Sequence, residues 1–181
     1  MKKKFIHISK QTNEFESESY RYIKLNLGQK NISLEKKLFL KSIPKNGINS
    51  ICDIGCGNGE NLRVWKNYFN CKKGVGVEPS KKGIKILKKN FLHEKKNGLN
   101  FINAYAHKLP FENDCFDIVF VWSVLHWIGR NEYLQSLGEL IRVCSKFLVI
   151  MDFVAKEDYR VPYHHKKGGD FLHINMILKK L

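Results

Sequence analysis

Apolar residues along this chain fall into short runs that alternate with stretches of helical spacing. Ser50 to Ile54 is a brief apolar run closed by Gly55, which predicts a strand. Leu62 to Tyr68 continues as a helix. Gly74 to Val77 predicts a second strand, and a helix near 80–92 follows with Ile84, Leu87 and Phe91 on one face. Leu99 to Asn103 is a third strand. Phe116 to Trp122 is nearly all apolar, the pattern of a strand buried on both faces. Tyr133 to Val143 carries Leu134, Leu137, Leu140 and Ile141 at helical spacing, and Phe147 to Met151 is a fifth strand. Upstream, Leu34, Leu38 and Ile43 predict a helix over 33–43, ended by the turn cluster Pro44–Gly47. Strands alternating with helices predict an α/β fold, a doubly wound, mostly parallel sheet with helices on both faces and right-handed crossovers. The chain divides into an N-terminal segment, 1–32, a core, 33–153, and a basic C-terminal segment, 154–181.

A length of 181 residues suits one domain, and 43% hydrophobic residues exclude wholesale disorder. The net charge of +15 raises nucleic acid as a partner. That partner is not favoured, because the charge is nearly all Lys, spread along the chain. Arg, the bidentate reader of phosphates and bases, stands only at positions 21, 63, 130, 142 and 160. No aromatics interleave with the lysines as stacking platforms would. The five cysteines form no C-x-x-C pair, so no metal site is expected. Cys within apolar runs fits a reducing, cytoplasmic setting. Met-Lys-Lys-Lys is followed by no apolar signal region, and no run is long enough to span a membrane.

The strongest chemical signal is Ile51-Cys-Asp-Ile-Gly-Cys-Gly-Asn-Gly-Glu-Asn-Leu62, after the first strand and before a helix. Gly55, Gly57 and Gly59 let the backbone turn tightly and approach a ligand. Asp53 lies at the carboxyl end of the strand, where such sheets bind ligands. The loop runs G-x-G-x-G, with Glu60 where a dinucleotide loop would place its third Gly. A pyrophosphate would meet repulsion there; a cation or a zwitterionic amino acid would not. Glu78, ending the second strand, follows the loop by roughly the 20 residues expected of an acid that accepts ribose hydroxyls. The plainer readings are a tight strand–helix connection and an acid at a helix N-terminus.

Asp53-Ile-Gly-Cys-Gly-Asn-Gly59, Gly76-Val-Glu78-Pro-Ser80, Lys108-Leu-Pro-Phe111 and Cys115-Phe-Asp117-Ile-Val119 resemble the successive motifs of class I S-adenosylmethionine-dependent methyltransferases. The resemblance covers about residues 48–153. It implies a Rossmann-like fold and S-adenosyl-L-methionine as cofactor. The cofactor set it implies is Asp53, Gly55, Cys56, Gly57, Gly59, Glu78, Pro79, Ala106, His107, Trp122 and Ser123. The backbone around Gly55, Cys56 and Gly57 would hold the methionine part, and Glu78 the ribose. Tyr105 to Lys108 would flank the adenine, while Trp122 and Ser123 would line the methyl-transfer pocket. Leu125-His-Trp-Ile128 and Val161-Pro-Tyr-His-His165 resemble a bacterial subgroup associated with surface-polysaccharide gene clusters, which implies a saccharide or other small-molecule acceptor.

The sequence departs from that pattern in three places. Tyr105 and His107 stand where many members carry an acid before Leu-Pro-Phe. Cys144-Ser-Lys146 makes a short connection before the fifth strand. The fold normally closes with two more strands, yet only Phe171 to Leu178 suggests one, or a short helix, so a truncated or diverged C-terminus is expected.

Methyl transfer is an in-line displacement that needs alignment and exclusion of water, plus a base where the acceptor is a hydroxyl or a protonated amine. His126, just after the fourth strand, is the candidate base, with His164 and His165 as secondary candidates. Trp122 and Trp127 would wall the acceptor site, or simply pack in the core. Tyr20-Arg21-Tyr22 would form a lid. RNA or protein acceptors and a non-catalytic cofactor-binding domain are the alternatives; a nicotinamide oxidoreductase is disfavoured by Glu60.

Overall fold

The computed structural model describes residues 19–28, 40–152, 159–162 and 170–173. Residues 19–26 form helix α1. Then follow β1 (Ser50–Ile54), α2 (Glu60–Phe69), β2 (Lys73–Glu78), α3 (Lys81–Asn90) and β3 (Leu99–Asn103). After a loop come β4 (Phe116–Trp122), a 3-10 turn (Leu125–Trp127), α4 (Arg130–Val143) and β5 (Cys144–Met151). Two short strands, β6 (Tyr159–Pro162) and β7 (Asp170–His173), end the described residues.

Five strands form one parallel sheet in the order β3-β2-β1-β4-β5. The alternation of side chains along each strand sorts the core into two layers. Ile51, Ile118, Phe120 and Phe101 face α2 and α3, whose Leu62, Trp65, Phe69, Ile84 and Leu87 cover them. Trp65 stacks on Phe120 with ring centroids 4.3 Å apart. On the other side Cys52, Ile54, Val75, Val77, Val119 and Val121 meet Leu137, Leu140 and Val143 of α4. β1 and β4 are thus covered on both faces, which accounts for their largely apolar runs, broken only by Ser50 and Asp53 in β1 and Asp117 in β4.

Most of the expected elements are present, with shifted bounds. α2 begins at Glu60 and β2 ends on Glu78, so both motif acids belong to regular elements. Cys144-Ser-Lys146 is not a connection: α4 passes directly into β5, which begins at Cys144. On α4, Leu137 and Leu140 are buried, but Leu134 and Ile141 are exposed (74% and 54%), so the buried stripe is narrower than the spacing predicts. The helix expected over 33–43 lies largely outside the described residues, of which 40–41 are helical. Of the expected C-terminal element, Phe171 to His173 belong to β7, which pairs antiparallel with β6 in a separate two-stranded sheet rather than extending the main one. His164 and His165 lie outside the described residues. Among the described residues no helix is long and apolar enough to cross a membrane.

Two of the four motifs hold the frame and lie away from the ligand end. Asp117 sits at a register shift between β4 and β5, at the opening of β4. Its Oδ2 accepts the N–H groups of Asn49 and Ser50 (2.8 and 3.0 Å) and the Ser50 hydroxyl, while Lys146 pairs with its Oδ1 at 2.8 Å. The Leu109-Pro-Phe111 turn is clamped by α4: Leu109 N–H donates to Glu139 (2.8 Å), and Arg142 donates to the Leu109 and Phe111 carbonyls (3.2 and 2.7 Å).

Burial alone would raise the Asp117 carboxyl, but the Lys146, Asn49 and Ser50 donors together hold it below its ordinary value of 3.8. Its stabilising contribution is therefore present above that pH and is lost as the pH falls through the depressed value. Asp117→Asn is expected to cost about 2 kcal/mol at pH 7. Urea unfolding at descending pH should show this penalty shrinking once the pH drops below 3.8.

Candidate active site

The connections β1–α2–β2 and β2–α3–β3 cross one face of the sheet, and β4–α4–β5 crosses the other, so the chain diverges at the carboxyl ends of β1 and β4. This is the topological switch point, where open α/β sheets bind ligands. A cavity of about 970 Å³ lies there. It runs from the glycine loop and Glu78, past Ala106 and His107, to Trp122, His126 and Trp127.

The glycine loop is bound inward by its own donors. The N–H groups of Gly55 and Cys56 both bond to the Val77 carbonyl (2.8 and 3.0 Å). Gly57 N–H donates to Glu78 Oε2 (3.2 Å), Gly59 N–H to the Cys56 carbonyl (2.9 Å), and Glu60 N–H to Asn58 Oδ1 (3.3 Å). A phosphate cradle needs those N–H groups facing the ligand. With these five N–H groups engaged within the protein, they are not offered to a phosphate, whereas the loop's carbonyls suit an ammonium. The repulsion expected from Glu60 is not what disfavours a pyrophosphate at this loop. Glu60 is buried, pairs with Arg63 at 2.7 Å, and does not line the cavity.

Gly55 adopts φ +73°, and a Cβ there would lie 2.4 Å from Val124 Cγ2. The loop after β1 and the turn after β4 therefore touch through a position that only glycine fits. Ser123 opens that turn with φ +56°, uncommon for a residue with a side chain, and its N–H bonds to Met151 at 2.8 Å.

Glu78 is 3% exposed. Besides Gly57, it accepts the Ser80 N–H (3.3 Å) and the Ser19 hydroxyl. Burial pushes its carboxyl up, against the opposing effect of these three donors. Asn103, ending β3, donates to the Glu78 and Pro79 carbonyls (3.0 and 2.7 Å) and holds this corner in place. Tyr105 and His107 stack at 5.6 Å on either side of Ala106.

Helix α1 covers the loop. Ile23 is fully buried and packs onto Gly83 of α3, where a Cβ would come within 2.4 Å of it. Tyr22 lies against Gly57, and the Asn58 amide donates to the Asn26 carbonyl (2.8 Å). Partial burial, then the charge of Asp53, raises the Tyr22 phenol. At the other end of the cavity His126 Nδ1 is 2.5 Å from Asp152 Oδ1.

Of the eleven expected cofactor residues and the candidate base, ten line this cavity: Gly55, Cys56, Gly57, Glu78, Pro79, Ala106, His107, Trp122, Ser123 and His126; Arg21, Tyr22, Tyr105 and Trp127 line it too. Asp53 and Gly59 do not. Alternation along β1 puts Asp53 on the same face as Ile51, buried at 2% exposure beneath the loop. Gly59 is the N-cap of α2, with φ +79° and the Phe91 and Phe101 rings packed against it. Burial, then Asp53 and Glu78, pushes the Cys56 thiol well up, so its side chain is an inert packing group. Sequence reasoning missed Ser19, Asn26 and Asp152. For Asp152 a signal was available, since it is an acid directly after an apolar strand, much as Glu78 is the acid that ends one.

A family model described as "Methyltransferase domain" matches residues 52–147. Over 118 residues the chain is 30% identical to the ubiquinone/menaquinone biosynthesis C-methyltransferase UbiE of Campylobacter jejuni, covering 59% of this chain and 46% of that protein. Over 128 residues it is 27% identical to the indolepyruvate C-methyltransferase of Streptomyces griseus, covering 68% and 39%. The chain thus spans less than half the length of these curated relatives. Among solved structures, an Aquifex aeolicus SAM-dependent methyltransferase superposes with TM-score 0.63 at 20% identity, over 80% of this chain and 77% of that one. Phosphoethanolamine N-methyltransferase 1 of Haemonchus contortus, solved with phosphoethanolamine and S-adenosylhomocysteine, superposes with TM-score 0.67 at 15% identity, over 83% and 34%. At these identities the solved structures speak to fold.

Gly55→Ala forces a left-handed backbone on alanine and drives its Cβ into Val124. It is expected to lower stability by about 2 kcal/mol or more. Thermal melts of the two proteins, each monitored by circular dichroism, check this.

Proposed function

The chain belongs to the methyltransferase domain family, and on that premise we propose that it is an S-adenosyl-L-methionine-dependent methyltransferase acting on a small-molecule or saccharide acceptor. The observation that carries this reading is the Glu78 carboxylate, which lies on the cavity wall and already accepts a hydroxyl, that of Ser19. A ribose presents the same donor. The residues present also fit the rest of the cofactor: Pro79, Ala106 and the stacked Tyr105 and His107 rings on the cavity wall for a flat base, and a loop offering carbonyls for an ammonium. The named acceptors of the two curated relatives, both C-methyltransferases, support a small molecule.

When bound, S-adenosylmethionine supplies a methyl group already activated by its sulfonium. Glu78 would hold the ribose, and Pro79, Ala106 and His107 the adenine. The loop from Gly55 to Gly57 would hold the amino-acid end, with Arg21 of α1 on the same cavity as a cation for its carboxylate. Asp53, beneath the loop, adds negative charge that complements a cationic ligand. Gly59 serves by starting α2 where the loop must stop. Trp122 and Ser123 would line the path of transfer, and Trp127 would wall the acceptor. His126 would take the acceptor's proton. Residues 19–26, folded over the loop, would exclude water as a lid.

Calorimetric titration with S-adenosylmethionine and S-adenosylhomocysteine tests the cofactor site. Glu78→Ala removes a charge-assisted acceptor, so binding is expected to weaken about 10- to 100-fold. No binding by well-folded wild type would reject the reading. Once an acceptor turns over, His126→Ala should lower kcat about 10²- to 10⁴-fold with affinity for S-adenosylhomocysteine unchanged; equal turnover would remove His126 from the chemistry.

A further inference from the structure

We propose that Asp152 is the positioning residue of this site, holding the His126 ring as the Nδ1–H tautomer so that Nε2 is the basic nitrogen; the proposal rests on the methyltransferase reading above. Asp152 directly follows β5, and its two oxygens make separate contacts. Oδ2 accepts the backbone N–H groups of Val124, Leu125 and His126 (3.1, 2.6 and 3.4 Å), which caps the 3-10 turn carrying the histidine. Oδ1 faces His126 Nδ1 at 2.5 Å. Capping needs one oxygen, so the second contact is not explained by the fold of the turn. A carboxylate among these donors only accepts, which makes Nδ1 the donor and leaves the lone pair of the neutral ring on Nε2. Both side chains are sheltered, 15% and 11% exposed, so the pairing is little screened by solvent. His126 lines the cavity and Asp152 does not, which separates the base from the group that orients it. Tyr133 of α4 also senses Asp152: its phenol is raised by burial and then by that charge.

The arrangement has a chemical consequence for the acceptor. As its nucleophilic atom bonds to the methyl carbon, the sulfur keeps the electron pair of the broken C–S bond and becomes a neutral thioether. The acceptor's proton moves to His126 Nε2. The positive charge lost at sulfur is balanced by the imidazolium, 2.5 Å from the Asp152 carboxylate. The pair therefore serves an acceptor whose attacking atom carries a proton that must leave.

Asp152→Asn separates orientation from capping. The new side chain keeps a carbonyl for the backbone N–H groups, but toward Nδ1 it offers an amide donor. Protein labelled with ¹⁵N-histidine, examined by two-bond ¹⁵N–¹H correlation above the range where imidazole titrates, reports which ring nitrogen bears the hydrogen. A His126→Gln sample assigns the signal. The expected result is Nδ1–H in wild type and a change to Nε2–H in Asp152→Asn, with calorimetric affinity for S-adenosylhomocysteine unchanged. A wild-type ring already in the Nε2–H form overturns the proposal, as does a variant with the wild-type tautomer. Should Asp152→Asn fail to fold, the wild-type tautomer decides alone. Wild type with Nδ1–H that fails to bind S-adenosylhomocysteine would sink the methyltransferase reading and leave the oriented histidine standing.

Discussion

The architecture of the site depends on β1 being hydrogen-bonded on both sides while its two neighbours send their helices to opposite faces. A parallel strand in that position cannot be followed by a loop that lies flat on either layer. The chain after β1 turns one way, toward α2, and the chain after β4 turns the other, toward α4. The gap between them is the cavity. Near it stand three acids at the carboxyl ends of strands, Asp53 within β1, Glu78 ending β2 and Asp152 following β5, in a chain whose net charge is +15. The first places charge beneath the loop, the second accepts hydroxyl and amide donors, and the third orients a histidine. The basic balance of the whole chain therefore gives no guide to this cavity, beside which three carboxylates are sheltered from solvent.

The two sides of the gap are mechanically joined. Gly55 meets Val124, whose own N–H bonds to Asp152. Gly57 is tied to Glu78 from below and touched by Tyr22 from above. A displacement of the loop after β1 would thus be felt both at the hydroxyl-accepting carboxylate and at the histidine turn. In close-packed structure such contacts leave little room for independent adjustment.

The frame was legible because burial writes a period into sequence. The largely apolar runs of β1 and β4 mark strands covered on both faces, and the tight spacing of Gly55, Gly57 and Gly59 marks a loop that must turn within a few residues. Glu78 stood out because it ends an apolar strand at a fixed distance from that loop. What escaped was long-range partnership. Ser19 lies in a polar segment with no periodic signal, yet it reaches a residue 59 positions away. Asp117 belonged to a motif that pointed to chemistry, but it pins the opening of β1 at the far end of the sheet. The same composition serves either role, and only the strand direction tells which end of the sheet an acid occupies. Cys144-Ser-Lys146 looked like a connection because Ser145 and Lys146, at the opening of an edge strand, are both polar and exposed.

The Ser19 hydroxyl on Glu78 makes α1 an internal competitor. An external hydroxyl ligand must displace a group tethered by the chain, whose local concentration does not fall on dilution. The apparent dissociation constant is then the intrinsic one divided by the fraction of molecules in which the Ser19 hydroxyl has left Glu78. Ser19 opens α1, so that exchange leaves Ile23 packed on Gly83 and Arg21 on the cavity wall. The hydroxyl that keeps the carboxylate satisfied is thus a tax on every ligand that takes its place.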